Sequence, residues 1–280
     1  RITGTCFQRC VGMDALITLH SVTFDIDQKH GTSYHERFKK FLVETQDRDL
    51  MSDGAMTDPK GDRSKRPHEQ HDPDLFVRVV ERREDGIVVR GAKMHQTGAV
   101  NSHQFIVLPG QALGPEDRDY AVAFAVPADA PGVIQVFGRQ VNDSRKWEGT
   151  IDQGNATYGV VGGEALVIFD DVFVPWERVF MLGEVEFAGT LVERFTSYHR
   201  QNYGGCKSGN LDVLIGATAA IADVQGTAKA AHVRDKLAEM AHLVETMYSG
   251  ALACSYECST LPCGTAIVDP LLANSAKFNT

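Results

Sequence analysis

The chain has 280 residues and a formal net charge of −9, from 28 Lys and Arg against 37 Asp and Glu, and that acidic balance argues against nucleic-acid binding, which needs clustered basic side chains. At 43% hydrophobic residues it can bury a sizeable core, and its length allows roughly two domains, so small-molecule chemistry is the better expectation. No apolar run approaches the roughly 18 residues of a membrane helix, and the N-terminus lacks the charged-then-apolar layout of a secretory signal. A soluble, cytoplasmic protein is expected.

Residues 1–50 read as helical. Cys6-Phe7-Gln8-Arg9-Cys10 spaces two thiols at i, i+4, on one helix face or one tight turn. They serve either as a ligand pair or as two small buried side chains. Ser33-Tyr34-His35-Glu36 has the pattern of a capping box, in which hydroxyl and carboxylate satisfy free amides at a helix start. Tyr34, Phe38, Phe41 and Leu42 then form a stripe expected to pack in a core.

From about 51 to 185 the pattern changes to short β-rich runs separated by Gly, Pro and Asp, at the spacing of an antiparallel sandwich or barrel. The runs are 75–80, 87–90, 105–108, 120–124, 133–137 and 165–169. Between the first helices and these strands, the polar stretch 58–67 reads as a surface loop.

Helices return from about 184. Val233, Leu237, Met240, Val244 and Met247 alternate steps of four and three, the seam of a helix in a bundle. Alanine-rich faces at 217–222 and 228–231 permit close helix approach. Within this region Tyr198-His199-Arg200-Gln201-Asn202-Tyr203-Gly204-Gly205-Cys206-Lys207 concentrates chemistry. At helical spacing His199, Tyr203 and Cys206 share a face, with Lys207 at its edge. Two glycines ahead of the cysteine allow either a close approach of backbone or a break in the helix. His199 and Cys206 suggest two metal ligands, for which Cys6 and Cys10 are the natural further donors. Cys254, Cys258 and Cys263 offer a competing cluster corner without a nearby fourth ligand. Six cysteines are too few for a disulfide scaffold of this length. The chain opens on Arg1 and stops at Thr280 just as a new amphipathic pattern begins after Pro270, the layout of an internal segment.

The order of helices, β-domain and helical bundle resembles the acyl-CoA dehydrogenase architecture. Met56-Thr57-Asp58-Pro59, Gly91-Ala92-Lys93-Met94-His95-Gln96-Thr97 and Phe169-Asp170-Asp171-Val172-Phe173-Val174-Pro175 match its motifs in order, the first two being those that face a flavin. Within that architecture the Thr-Asp-Pro, Asp-Arg-Ser-Lys and Asp-Gly-Ile-Val-Val-Arg-Gly-Ala-Lys-Met runs resemble the 4-hydroxyphenylacetate 3-hydroxylase family. The set Cys6, Cys10, His199 and Cys206 is similar in order and spacing to the iron–sulfur ligands of its 4-hydroxybutyryl-CoA dehydratase branch.

That resemblance implies an α+β fold with the end of an N-terminal helical domain (1–50), a flavin-binding β-domain (51–185) and the start of a C-terminal bundle (186–280). It implies FAD held by Met56, Thr57, Asp58, Lys60, Arg63, His95, Gln96 and Thr97, and a [4Fe-4S] cluster on Cys6, Cys10, His199 and Cys206. The implied activity is dehydration of an acyl-CoA substrate, 4-hydroxybutyryl-CoA, to crotonyl-CoA by a flavin radical mechanism with the cluster as Lewis acid, alongside vinylacetyl-CoA Δ-isomerase activity, in a homotetramer. His199, Tyr203, Glu164 and Lys207 are the implied catalytic residues. The bland readings are core packing for Tyr203, a solvated side chain for Lys207 and a strand-edge charge for Glu164. The rivals are a FADH2-dependent aromatic hydroxylase of the same family, needing none of the four ligands, and a non-catalytic structural homologue.

Overall fold

A computed structural model describes residues 1, 9–137 and 164–280. Cys6 and the Gly162-Gly163 pair before Glu164 lie outside the described residues. The chain divides into two compact units, Gln8–Phe195 and Thr196–Thr280 with Arg1–Phe7.

The first unit opens with two helices, α1 (Cys10–His30) and α2 (Tyr34–Asp47). Helix α1 stops at Gly31, whose φ of 65° lets its amide turn back onto the Asp27 carbonyl, a left-handed cap that favours glycine. The capping box expected at Ser33 does not form, because Ser33 makes no side-chain cap bond. Asp27 takes that role, its carboxylate accepting from the Tyr34 and His35 amides, both at 2.9 Å. A fully charged acceptor brought over from the preceding helix satisfies the free amides better than the adjacent hydroxyl. The stripe on α2 packs as expected, with Tyr34, Phe38 and Phe41 buried and Leu42 half-buried against the same cluster.

Among the described residues eight strands follow: β1 (Ser52–Ala55), β2 (Arg78–Arg82), β3 (Gly86–Thr97), β4 (Gln104–Val107), β5 (Val122–Pro127), β6 (Val133–Phe137), β7 (Glu164–Pro175) and β8 (Val179–Leu182). They form two four-stranded sheets, β1-β4-β5-β8 and β2-β3-β7-β6. All pairings in them are antiparallel except β1 on β4, which is parallel. One core joins α1, α2 and the start of the next helix to the β1-β4-β5-β8 sheet through Phe38, Ile106, Ala123, Phe180 and Leu191. A second fills the space between the sheets with Val89, Phe105, Phe124, Val167 and Phe169. Alternation along β4 explains the split: Phe105 and Val107 face one core, Ile106 the other.

Helix α3 (Glu186–Val224) starts in this unit, and its residues from Thr196 on belong to the second. There it runs with α4 (Ala231–Tyr256), a two-residue-strand hairpin of β9 (Ser259–Thr260) and β10 (Ala266–Ile267), and α5 (Pro270–Phe278). Helix α5 begins with Asp269, whose carboxylate accepts from the Leu272 amide at 2.7 Å, followed by Pro270, both favoured at a helix start. The α4 seam is buried at Val244 and Met247 and half-buried at Val233, Leu237 and Met240. Of the alanine-rich stretch 217–222, Ala222 alone is buried.

Candidate active site

The residues expected to face a flavin lie in the first unit, where β1 ends and β3 bulges. Thr57 follows buried Met56 and is itself exposed. Its carbonyl accepts from the Met94 amide at 2.8 Å and from Gln96 Nε2 at 3.4 Å, so the loop after β1 is stitched to β3. Gln96, nearly fully buried, also donates to the Met94 carbonyl at 2.7 Å. Beneath them Lys93 sends its Nζ to the Met56 carbonyl (3.0 Å), the Leu108 carbonyl (2.6 Å) and Asp58 Oδ1 (2.6 Å).

Pairing of β3 with β7 runs Lys93 against Val167, then Gln96 against Ala165, so β3 carries an extra residue here. Such a bulge leaves one residue unpaired and re-aims its side chain. His95 takes the strain, with a φ of 56°, and its ring is turned out to solvent. Thr97 pairs with Glu164 in register, and its hydroxyl donates to Glu164 Oε1 at 3.0 Å. His95 Nδ1 lies 3.8 Å from the other oxygen of the same carboxylate. His95, Thr97 and Glu164 are thus one polar group on one rim.

Lys60 and Arg63 are exposed on the loop that follows and have no hydrogen-bond or ion-pair partner among the described residues. Their loop is nonetheless held. The Gln70 amide nitrogen donates to the Asp62 and Lys65 carbonyls at 2.9 and 3.1 Å, and the Asp62 amide donates to Gln70 Oε1 at 2.9 Å. Two such cations on a tethered loop beside Thr57 suit an anionic cofactor tail such as a pyrophosphate.

The second group is on α3. The helix continues unbroken through Gly204 and Gly205, so of the two readings of the glycine pair close approach is the one realised. A Cβ on Gly204 would overlap the Ala251 methyl of α4. His199 and Tyr203 meet edge to face with centroids 5.1 Å apart. The Tyr203 ring is flanked by the ammonium groups of Lys207 at 5.9 Å and, from α5, Lys277 at 5.6 Å. Cys206 is a half-buried thiol. Sequence reasoning found this face because helical periodicity is local, but it missed Lys277.

Cys10 is a half-buried thiol at the start of α1. It belongs to the first unit, and His199 and Cys206 to the second. Buried Asp14 stands one turn on from Cys10 and was not singled out from the sequence. The competing cysteine corner does not assemble: Cys254 Sγ donates to the Ala251 carbonyl, Cys263 pairs with the Thr265 hydroxyl, each at 3.2 Å, and Cys258 is exposed. Among the described residues these three thiols form no common ligand group. Burial pushes the Cys254 thiol up to about 11, which suits a packed thiol rather than a thiolate ligand.

Two family models match this chain, 4-hydroxyphenylacetate 3-hydroxylase N terminal over residues 1–181 and C terminal over residues 188–280. The 4-hydroxybutyryl-CoA dehydratase/vinylacetyl-CoA-Δ-isomerase of Clostridium aminobutyricum is 56% identical over 279 residues, 99% of this chain and 56% of that protein. An oxygen-tolerant archaeal 4-hydroxybutyryl-CoA dehydratase from N. maritimus superimposes with a TM-score of 0.92 at 54% identity, over 99% of this chain and 55% of that one. The oxygenase component of 4-hydroxyphenylacetate 3-monooxygenase, complexed with FAD, gives 0.80 at 27% identity, over 94% and 54%. An acyl-CoA dehydrogenase from Slackia heliotrinireducens, at 18% identity, 0.57 and coverage of 92% and 58%, shares the fold. The chain spans about half the length of the curated relatives it matches.

Proposed function

The chain belongs to the 4-hydroxyphenylacetate 3-hydroxylase family, and from that membership we propose that it dehydrates 4-hydroxybutyryl-CoA to crotonyl-CoA and isomerises vinylacetyl-CoA, using FAD and a [4Fe-4S] cluster. The observation that carries the proposal is the face of α3 on which His199 and Tyr203 meet at 5.1 Å with Lys207 beside them, one turn from the Cys206 thiol. An aromatic hydroxylase needs no such thiol and imidazole pair. The 56% identity to the clostridial dehydratase, against 27% to the hydroxylase structure, favours the same branch.

The residues fit both groups. Exposed Thr57, with hydroxyl and amide unpaired among the described residues, and the cations Lys60 and Arg63 suit FAD, with Met56, Asp58, His95, Gln96 and Thr97 completing its contacts. Three thiolates and one imidazole, from Cys6, Cys10, Cys206 and His199, suit an iron–sulfur cluster with one less anionic corner. When bound, the flavin supplies reversible one-electron chemistry and the cluster a Lewis-acidic iron.

The remaining work is proton transfer. Going from a 4-hydroxyacyl to a 2-enoyl thioester removes protons from the α and β carbons, releases the hydroxyl as water and returns one proton to the γ carbon, with no net redox change. His199 takes a proton through the ring nitrogen not engaged with metal. Tyr203 donates to the departing hydroxyl, with Lys207 and Lys277 stabilising the phenolate that results. Glu164, fixed by Thr97, serves as the carboxylate of the site. The domain division 1–50, 51–185 and 186–280, a homotetramer and a cytoplasmic location complete the proposal; no helix among the described residues is long and apolar enough to cross a membrane.

Anaerobic purification of the full-length protein tests this. About four irons and one FAD per chain are expected; FAD alone would favour the hydroxylase, and neither the structural homologue. Cys206→Ala should abolish the visible iron–sulfur absorption. If that absorption persisted unchanged, the ligand assignment would fall.

A further inference from the structure

Lys93 is 2% exposed, and a lysine buried this deeply is costly unless each of its N–H groups finds an acceptor. All three do: the carbonyls of Met56 (3.0 Å) and Leu108 (2.6 Å) and the carboxylate of Asp58 (2.6 Å). Two of these acceptors sit immediately before and after Thr57. From the same strand the Met94 amide and Gln96 Nε2 hold the Thr57 carbonyl. The tripeptide Met56-Thr57-Asp58 is therefore gripped at both ends and at its middle carbonyl, while the Thr57 hydroxyl and amide make no hydrogen bond among the described residues. Gly110 closes the arrangement from below: a Cβ there would overlap Asp58 Oδ2 and crowd the Met56 carbonyl at 2.7 Å.

An apolar side chain would fill the same volume without desolvating a charge. What the ammonium adds is direction, because it fixes two carbonyls and a carboxylate in one geometry. We propose that Lys93 is a positioning residue of the cofactor site, one that holds residues 56–58 in their binding conformation before the flavin arrives, so that no loop ordering is left for the binding step. This rests on the flavin reading above.

The test uses full-length protein stripped of flavin, comparing wild type with Lys93→Met and Asp58→Asn. Amide hydrogen exchange in the flavin-free protein at Met56 and Met94, whose amides donate to the Gly54 and Thr57 carbonyls, should accelerate by about tenfold or more in Lys93→Met, while β4 and β5 stay protected. The dissociation constant for added FAD should rise by about tenfold or more in Lys93→Met and by less in Asp58→Asn, which keeps the two carbonyl bonds. A lysine with a merely structural role would lower the melting temperature but leave the FAD affinity of the folded protein unchanged, and that result would overturn the proposal. Should Lys93→Met fail to fold, Asp58→Asn decides, since unchanged exchange and unchanged FAD affinity in that variant likewise overturn it. If wild-type protein bound no FAD, the flavin reading itself would fail, an outcome distinct from equal binding by wild type and variant.

Discussion

His68 Nδ1 stands 2.6 Å from Asp117 Oδ1, a carboxylate whose side chain is completely buried. Asp117 also accepts from the Gly114 amide at 2.9 Å and the His68 amide at 3.2 Å, and the pair closes the C-terminal end of the loop that carries Lys60 and Arg63. Burial opposes ionisation of Asp117, but these donors outweigh it and hold the group below the usual carboxylate range. Asp117 in turn raises the His68 imidazole above its ordinary value.

Stability from a depressed carboxylate is present above its unfolded pKa and lost as pH falls through the folded one. For a raised imidazole it is present below the unfolded pKa and lost as pH rises through the folded one. The two overlap between roughly pH 4 and 6.5. Asp117→Asn should therefore lower the melting temperature most within that window and less on either side, as read by thermal unfolding across a pH series.

Asp53 shows the opposite case. It is 1% exposed on β1, neither of its carboxylate oxygens has a hydrogen-bond partner among the described residues, and burial pushes it up to about 7. The protonated form is the one the fold favours, so stability should decline as pH rises from about 4 to 7 and level off above. Asp53→Asn should remove that slope and stabilise the protein at pH 8 by up to about 4 kcal/mol, since each tenfold change in an ionisation constant is worth about 1.4 kcal/mol. Equal slopes in the two proteins would show that Asp53 ionises freely.

The two neighbouring glycines of α3 should behave differently. Gly204→Val places a side chain where the Ala251 methyl already is, and overpacking of this kind costs about 1–3 kcal/mol. A Cβ on Gly205 meets nothing within 4 Å, and mid-helix Gly→Ala gains about 0.5–1 kcal/mol. Chemical denaturation of the cofactor-free variants should give changes of opposite sign.

Tyr203→Phe keeps the ring that His199 and the two lysines contact and removes the hydroxyl alone. On the proposed chemistry kcat should fall by about 10²–10⁴, with KM, iron content and FAD content close to wild type. Steady-state kinetics beside metal and flavin analysis separate this from a packing defect, which would alter cofactor content as well.

Features set by local geometry were legible in the sequence. The α2 stripe, the α4 seam and the helical spacing of His199, Tyr203 and Cys206, with Lys207 at the edge of their face, depend only on about 3.6 residues per turn, and the turn-rich polarity of 58–67 marked its exposure. The strand runs of the first unit emerged from the same local pattern, apart from Ser52–Ala55 and Val179–Leu182. Those two are short and were passed over, and Ser52–Ala55 is a strand only because β4 runs parallel beside it.

Tertiary structure decided the rest. Asp27 displaced Ser33 as the cap of α2 because the chain reversal at Gly31 delivers a stronger acceptor. Lys93 and Gly204 acquire their roles from Leu108 and Ala251, partners 15 or more residues away in the chain, and Asp53 from its burial. Desolvation and close approach depend on which distant segments meet, and no window of sequence carries that information; periodicity, by contrast, is written within a single turn.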